Sequence, residues 1–133
     1  MNLMVDTSVW SLALRRDLPL VLPHVTALRQ ALESEALVVT TGLVLQELLQ
    51  GFAGPRARKD IIEHFGALPM ISPSREDHIA AAELRNTFRR AGVQMGTIDA
   101  LLAQLCIHHG LTLLTTDKDF SHAARHCPLK VWS

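Results

Sequence analysis

The chain has 133 residues, of which 48% are hydrophobic and 20% are charged, so it can bury a core and has the usual size of a single domain. Its 13 basic and 13 acidic residues balance, which excludes the strongly basic composition of many nucleic-acid-binding domains. No apolar run approaches the roughly 20 residues that a membrane span needs. We therefore expect one domain over residues 1–133, cytoplasmic and without a membrane association.

The cysteines and the start of the chain suggest a reducing compartment. Cys106 and Cys127 form no C-x-x-C arrangement, and two cysteines are too few for a disulfide framework. The chain reaches Asp6 after only a few apolar residues, which is unlike the apolar stretch of a signal peptide. We expect both cysteines to be inert thiols.

The first half of the chain predicts two strands that each lead into a helix. The short apolar run before Asp6 is typical of a buried strand, and Glu47 falls at the margin of an apolar helical stripe. The predicted elements are a strand over 3–5, a helix over 7–14, a helix over 25–35, a strand over 37–39 with a turn at 40–42, and a helix over 43–52.

The second half continues the alternation. Ser74 and Asp77 have the spacing of a capping box, and Gly110 is placed to cap a helix C-terminus. The predicted elements are a helix over 57–65, a weak edge strand over 68–71, a helix over 74–92, a helix over 98–109, a strand over 111–114, a short helical piece ending at 125, and a strand over 129–132. Such alternation predicts an α/β fold of three layers, with a central parallel sheet of about five strands between helices.

Four acidic residues, Asp6, Glu47, Asp99 and Asp117, each lie where an apolar stretch meets polar residues, and Asp119 follows two positions later. If the strands before Asp6 and Asp117 are parallel, both acids emerge at the same carboxyl edge of the sheet. Like charges about 5 Å apart repel by roughly 3 kcal/mol per pair at an effective dielectric near 20, so such a cluster must bind protons or cations. We expect cations, and oxygen ligands favour Mg²⁺ or Mn²⁺.

Each acid taken alone also has an ordinary structural interpretation. Asp6 and Asp117 could be helix N-caps, and Asp99 lies in a first helical turn, where the helix dipole favours anions. The hydroxyls of Ser8 and Thr116 are close to the acids in sequence. They could hold a water molecule or a phosphate oxygen.

Four stretches carry these acids in order: Val5–Trp10, Gln46–Gly51, Ile98–Ala103 and Thr115–Phe120. In order and spacing they resemble the motifs of PIN-domain ribonucleases, and most closely those of the VapC toxins of type II toxin-antitoxin pairs. The resemblance covers almost the whole chain. Residues 17–23 and 51–55 look individual to this chain, and they bear on substrate choice and antitoxin docking.

The resemblance implies a PIN-like (flavodoxin-like) domain with endoribonuclease activity that depends on Mg²⁺ or Mn²⁺ and cleaves RNA by a metal-activated water. It also implies a homodimer that a cognate, VapB-like antitoxin silences. The family's metal-binding and catalytic acids correspond to Asp6, Glu47, Asp99 and Asp117. Asp119 matches a second acid of the last motif, and Ser8 and Thr116 match auxiliary hydroxyls.

Ten of the 13 basic residues are arginines, whose planar fork suits phosphate. Arg85, Arg89 and Arg90, at the basic end of a predicted helix, are candidates to hold the RNA backbone, although they could equally be a solvated helix end.

Several alternatives stay open. The chain could be a non-catalytic PIN-like subunit of a DNA-binding toxin-antitoxin complex, or a metal-dependent DNA nuclease. His122 and His126 could share a helix face and bind zinc, but the glutamate of H-E-x-x-H is missing between them. A phosphotransferase with an aspartyl nucleophile at Asp6 would need a second aspartate where Ser8 stands.

Overall fold

A computed structural model describes residues 1–15 and 22–133. Most of segment 17–23, which the sequence marks as individual to this chain, therefore lies outside the described residues. The described elements, in chain order, are β1 (Leu3–Val5), α1 (Thr7–Leu14), α2 (Pro23–Glu33), β2 (Val38–Thr41), α3 (Gly42–Gly51), α4 (Pro55–Gly66), β3 (Met70–Ile71), α5 (Arg75–Arg90), α6 (Thr97–His109), β4 (Thr112–Leu114), α7 (Lys118–Ala123) and β5 (Lys130–Val131).

The five strands form one parallel sheet in the order β3-β2-β1-β4-β5. Leu3 of the central strand β1 pairs with Val38 of β2 on one side and with Thr112 of β4 on the other. The chain builds outward from β1 through β2 to β3 and then crosses to β4 and β5. The strand order therefore reverses between β1 and β4, and in open α/β sheets ligands bind outside the carboxyl ends of the strands at this point.

Helices cover both faces of the sheet. Leu3, Met4 and Val5 of β1 are all buried, although successive strand residues point to opposite faces. A strand buried on both sides must lie between two other layers. The predicted three-layer fold with a parallel sheet of five strands is therefore confirmed. None of the helices described is both long and apolar enough to cross a membrane.

The second strand differs from its prediction. Residues 40 and 41, predicted to lie in a turn, are the end of β2, where Thr40 pairs with Met70 and Thr41 with Ile71. Both threonines are fully buried. A β-branched side chain is well suited to a strand, and the pairing with β3 uses backbone groups that a turn would have left free. The predicted turn is wrong because that pairing partner lies about 30 residues further along the chain.

The predicted start of α5 and the predicted end of α6 are confirmed. Ser74 Oγ accepts a hydrogen bond from the Asp77 N–H at 3.1 Å, and Asp77 Oδ2 accepts one from the Ser74 N–H at 3.0 Å, which completes a capping box. Gly110 follows α6 with φ 63° and ψ 37°. A glycine adopts this left-handed conformation without a steric penalty, so it ends the helix at the start of the approach to β4.

Candidate functional site

The ends of β1 and β4 lie side by side at the point where the strand order reverses. The Asp6 N–H donates to the Leu114 carbonyl oxygen at 2.9 Å, which joins the two strand ends directly. Asp6 occupies the N-cap position of α1, and Asp117 occupies that of α7. The fold therefore places these two acids on neighbouring loops at the carboxyl edge of the sheet.

The Asp6 carboxylate is held by hydroxyl groups rather than by its helix. The residue is only 7% exposed, and its Oδ2 accepts hydrogen bonds from Ser8 Oγ and from Thr115 Oγ1, both at 2.8 Å. It makes no side-chain cap of α1. Its Oδ1 accepts no hydrogen bond from any described residue, so this oxygen remains available to a ligand.

Thr115 and Ser8 also tie the two loops together. Thr115 Oγ1 accepts from the Asp117 N–H at 3.0 Å, and Ser8 Oγ accepts from the Thr116 N–H at 3.2 Å. The buried hydroxyl at this loop therefore belongs to Thr115, which the sequence analysis missed. The predicted auxiliary Thr116 is exposed and contributes its backbone N–H. The available signal was the position of Thr115 directly after the buried residues Leu113 and Leu114 of β4.

Glu47 comes to the site from α3. Its Oε1 accepts a hydrogen bond from Thr7 Oγ1 at 2.8 Å, so the first residue of α1 positions it. Thr7 is a second residue that the sequence analysis missed. Its position directly after Asp6 was the only sequence signal. The contact joins residues 40 positions apart, and local patterns do not report on such contacts.

Asp117 combines the two interpretations that the sequence left open. Its Oδ1 accepts from the Asp119 N–H at 2.9 Å, so it is a genuine N-cap of α7. It is also one of the acids whose charge acts on Asp99. The exposed Asp119 carboxylate lies in the first turn of the same helix.

The electrostatics of Asp99 show that the five acids share one region. Asp99 is half-buried in the first turn of α6. Burial, together with the charges of Asp6, Asp117, Glu47 and Asp119, raises the pKa of its carboxyl to about 6. The structure thus brings the five predicted acids together, and their roles in metal binding and catalysis stay predictions.

The donor set suits a hard, partly hydrated cation. Within the part of the chain that the structure describes, no lysine, arginine or histidine lies at ion-pair distance from these five acids, so their charge is uncompensated. Nor do any three of them, among the residues described, bring carboxylate oxygens to within 4.8 Å of one another. Mg²⁺ is commonly held by one or two carboxylates and several waters, whereas structural zinc needs a compact cage of nitrogen and sulfur ligands. These residues therefore fit Mg²⁺ or Mn²⁺.

The three candidate arginines separate in the structure. Arg85 and Arg89, with residues 92–96, line a cavity of about 490 Å³ beside the start of α6. Arg85 Nε also donates to the Met95 carbonyl oxygen at 3.0 Å, which holds the segment before Asp99. Arg90 does not line this cavity, and its Nη2 contacts Thr87 Oγ1 at 3.3 Å.

A second cluster, at the opposite end of α6, is structural in character. Asp77, His108 and His109 bring potential ligand atoms within 4.8 Å of one another. The His108 and His109 rings are stacked with centroids 4.2 Å apart and an interplanar angle of 28°, and His108 Nδ1 is already hydrogen-bonded to Asp77 Oδ1 at 2.7 Å. The predicted zinc alternative at His122 and His126 belongs to no such group of described residues.

Asp77 already has its hydrogen-bonding capacity in use. It is 2% exposed and accepts from Ser74, from Gln104 Nε2 at 3.3 Å and from His108 Nδ1 at 2.7 Å. Burial alone would raise the pKa of its carboxyl, but these hydrogen bonds outweigh burial and lower the pKa to about 2. Through these hydrogen bonds the cluster connects the start of α5 to the C-terminal half of α6.

The fold is similar to that of several solved structures. A chain of VapBC2 from Rickettsia felis, in a crystal structure bound to a DNA fragment from the promoter, matches with a TM-score of 0.76, 21% identity and 100% of both chains covered. A chain of VapBC-1 from nontypeable Haemophilus influenzae matches with a TM-score of 0.77, 15% identity and coverage of 100% of this chain and 98% of that one.

VapC20 from Mycobacterium tuberculosis, a sarcin-ricin loop cleaving toxin, matches with a TM-score of 0.71, 23% identity and coverage of 91% of this chain and 94% of that one. Identities this low show a shared fold and nothing finer. No curated protein sequence matches the chain significantly. Residues 3–126, however, match the PIN domain family, a span that includes all five acids of the site. The chain therefore belongs to the PIN domain family.

Proposed function

We propose that this PIN-domain protein is a metal-dependent endoribonuclease and acts as the toxin of a VapC-type toxin-antitoxin pair. The observation that carries the proposal is the group of five acids without a described counter-ion, located where the strand order reverses. The similarity to VapC20, a sarcin-ricin loop cleaving toxin, favours RNA as the substrate.

Four acids, Asp6, Glu47, Asp99 and Asp117, would hold Mg²⁺ or Mn²⁺, one or two of them directly and the others through bound water, with Asp119 as an auxiliary. Such an ion supplies Lewis acidity, which lowers the pKa of a water and offsets charge on a phosphate. Hydrolysis with a water nucleophile needs no covalent bond between RNA and protein.

The protein's own contribution is to hold the acids in place. The hydroxyls of Ser8 and Thr115 fix the Asp6 carboxylate, and Thr7 fixes Glu47, so little conformational freedom has to be lost when a cation binds. Asp99 lies in the first turn of α6, where the helix dipole favours its charged form. The exposed Thr116 hydroxyl is available to a phosphate oxygen.

Two arginines extend the site toward the RNA backbone. Arg85 and Arg89 line the cavity next to Gly96, the N-cap of the helix that carries Asp99. Their guanidinium groups can bind phosphate oxygens in a bidentate manner. Arg90 lies outside this cavity and is the weakest member of the predicted group.

The direct test is cleavage by the purified protein. A mixed cellular RNA pool and matched RNA and DNA oligonucleotides would be incubated with Mn²⁺ and with EDTA. We expect RNA to be cut in Mn²⁺ only. Asp99→Asn should lose at least about 100-fold of the cleavage rate, since even outer-shell changes at metal sites cost 10- to 100-fold.

Glu83→Gln is a matched control, because it removes the same charge from an exposed position on α5. Equal cleavage by Asp99→Asn and the parent protein would contradict the catalytic assignment. Cleavage of DNA but not of RNA would favour the DNA-nuclease alternative.

A cognate, VapB-like antitoxin is the partner that we propose. Solved structures of similar fold are VapBC complexes, and those from Rickettsia felis and Salmonella typhimurium are bound to DNA. We expect co-expression with the antitoxin to give a stable complex that no longer cuts RNA, and the free protein to sediment as a homodimer. A complex that forms normally around a free protein without nuclease activity would instead favour the non-catalytic, DNA-binding alternative.

A further inference from the structure

The segment between α5 and α6 separates two cavities. The first is the one that Arg85 and Arg89 line. The second, of about 420 Å³, lies between residues 91–94 of this segment and four side chains of the α7 region, Asp119, His122, Arg125 and His126. Residues 92–94 line both cavities, so the two lie on either side of this segment.

The second cavity begins at the acidic site. Asp119, which forms part of its wall, is one of the acids whose charge acts on Asp99. Asp119 therefore links this cavity to the acidic site, and an RNA strand bound at the acids can extend toward it. The volume is of the size that holds small organic ligands.

The cavity also has a concentrated set of hydrogen-bond donors. His122, Arg125 and His126 are spaced three and four residues apart, which places them on one side of a helical turn. Hydrogen bonds of the helical kind continue past α7, from the Ala124 N–H to the Phe120 oxygen at 2.9 Å and from the His126 N–H to the Ala123 oxygen at 2.9 Å.

Among the described residues, these donors have no partner of opposite charge. All three side chains are exposed, and no acid in residues 1–15 or 22–133 lies within ion-pair distance of any of them. An arginine fork without a carboxylate partner, flanked by two imidazoles, suits the oxygens of a phosphodiester. It suits a cation poorly, because Asp119 is the single acid among the described residues that line the cavity, and Asp119, His122 and His126 do not bring ligand atoms to within 4.8 Å of one another.

We propose that this cavity is a phosphate subsite for the RNA strand, in which Arg125, assisted by His122 and His126, binds a backbone phosphate adjacent to the one that is cut. The inference rests on the proposed ribonuclease function and adds the residues that position the strand. Arg85 and Arg89 would hold the strand on the other side of the 91–96 segment. Arg125 is thus a positioning residue, since it does not touch the bond that breaks.

The test measures RNA binding separately from cleavage. In an Asp99→Asn background, binding of a labelled single-stranded RNA would be followed by fluorescence anisotropy in Mg²⁺ at several salt concentrations. Arg125→Gln should weaken binding about five- to tenfold and reduce the slope of log K against log[salt] by about 0.7, the value for one phosphate contact on a single strand. Arg58→Gln, at an exposed position on α4, removes the same charge and should change neither quantity.

Cleavage kinetics give a second readout. With Asp99 intact, Arg125→Gln should raise KM several-fold and leave kcat nearly unchanged, because the contact is made equally before and during the reaction. Thermal melting checks the fold of each variant. If Arg125→Gln is unstable, the double variant His122→Gln, His126→Gln carries the same test with a smaller expected loss.

Two outcomes would overturn the inference. In the first, Arg125→Gln matches Arg58→Gln in RNA affinity, salt slope and KM. The phosphate subsite would then be wrong, whereas RNA cleavage by the parent protein would still support the proposed function. In the second, the loss of affinity appears with a matched DNA strand but not with RNA. Absence of RNA cleavage by the parent protein would instead overturn the proposed function, and a salt-dependent loss of RNA binding in Arg125→Gln would then assign the cavity to RNA binding alone.

Discussion

Replacement of Thr115 by valine should distinguish the contribution of the Thr115 hydrogen bonds to the acidic site from the contribution of side-chain packing. Valine has nearly the shape of threonine, so the substitution removes one hydroxyl group and leaves the buried volume filled. That hydroxyl donates to Asp6 Oδ2 at 2.8 Å and accepts from the Asp117 N–H at 3.0 Å. A hydrogen bond to a charged group contributes about 1.5–3 kcal/mol, and the second bond about 1 kcal/mol.

The gain from a more apolar side chain offsets part of this loss. We therefore expect the free energy of unfolding to fall by about 2 kcal/mol, which for a chain of this size lowers Tm by roughly 6–8 °C. Without the hydroxyl, Ser8 is the one described residue whose side chain still holds the Asp6 carboxylate, so the affinity for Mn²⁺ should also fall, by about 10-fold or more. Urea denaturation in EDTA measures the first effect, and the Mn²⁺ concentration for half-maximal cleavage measures the second.

Thr40→Val provides a matched control within the same sheet. Thr40 is as deeply buried as Thr115, but its Oγ1 has no hydrogen-bond partner among the described residues. Removing an unsatisfied buried hydroxyl should stabilise the protein by about 1 kcal/mol. If both substitutions shift stability in the same direction, or if Thr115→Val is neutral, the hydrogen bonds of Thr115 do not support the site as we reason.

Three further predictions concern other residues. The pKa of Asp99 in the folded protein, raised to about 6, lies above its value in the unfolded chain. Asp99 therefore contributes stability that is complete below about pH 4 and is lost as pH rises through 6. Urea titration in EDTA should show the free energy of unfolding decline by about 1–2 kcal/mol over this range, after allowance for solvent screening, and the decline should be absent in Asp99→Asn. The pKa of Asp77 is lowered to about 2, so the ionised Asp77 carboxylate contributes stability above about pH 4, and this stability is lost as pH falls through 2. Asp77→Asn weakens the hydrogen bonds from Ser74 and His108, so it should lower the free energy of unfolding by about 2–3 kcal/mol at pH 7 without altering RNA cleavage at a temperature where the variant is folded. A variant that keeps its full stability but loses cleavage would argue against a structural role for Asp77. Thr7→Val should raise the Mn²⁺ concentration for half-maximal cleavage about 10-fold while leaving Tm within a few degrees, since it frees Glu47 at a half-buried position. An unchanged Mn²⁺ titration would contradict the role of Thr7 in positioning Glu47.

The sequence alone determined the layers of the fold and the positions of the acids along it. Apolar runs alternating with amphipathic helices can be buried only by a parallel sheet between helices, and such a sheet brings Asp6 and Asp117 to one edge. Helix ends such as Ser74 and Gly110 were equally accessible, because each depends on residues within a single turn.

Only the tertiary structure decided how the acids are held. The contacts from Thr115 to Asp6 and from Thr7 to Glu47 join residues 109 and 40 positions apart, and they depend on which strands are neighbours and in what register. The same dependence explains why β2 extends through Thr40 and Thr41, and why His108 pairs with Asp77. A periodic pattern reports on the environment of a residue but does not identify its partner, since partners are set by the packing of distant segments.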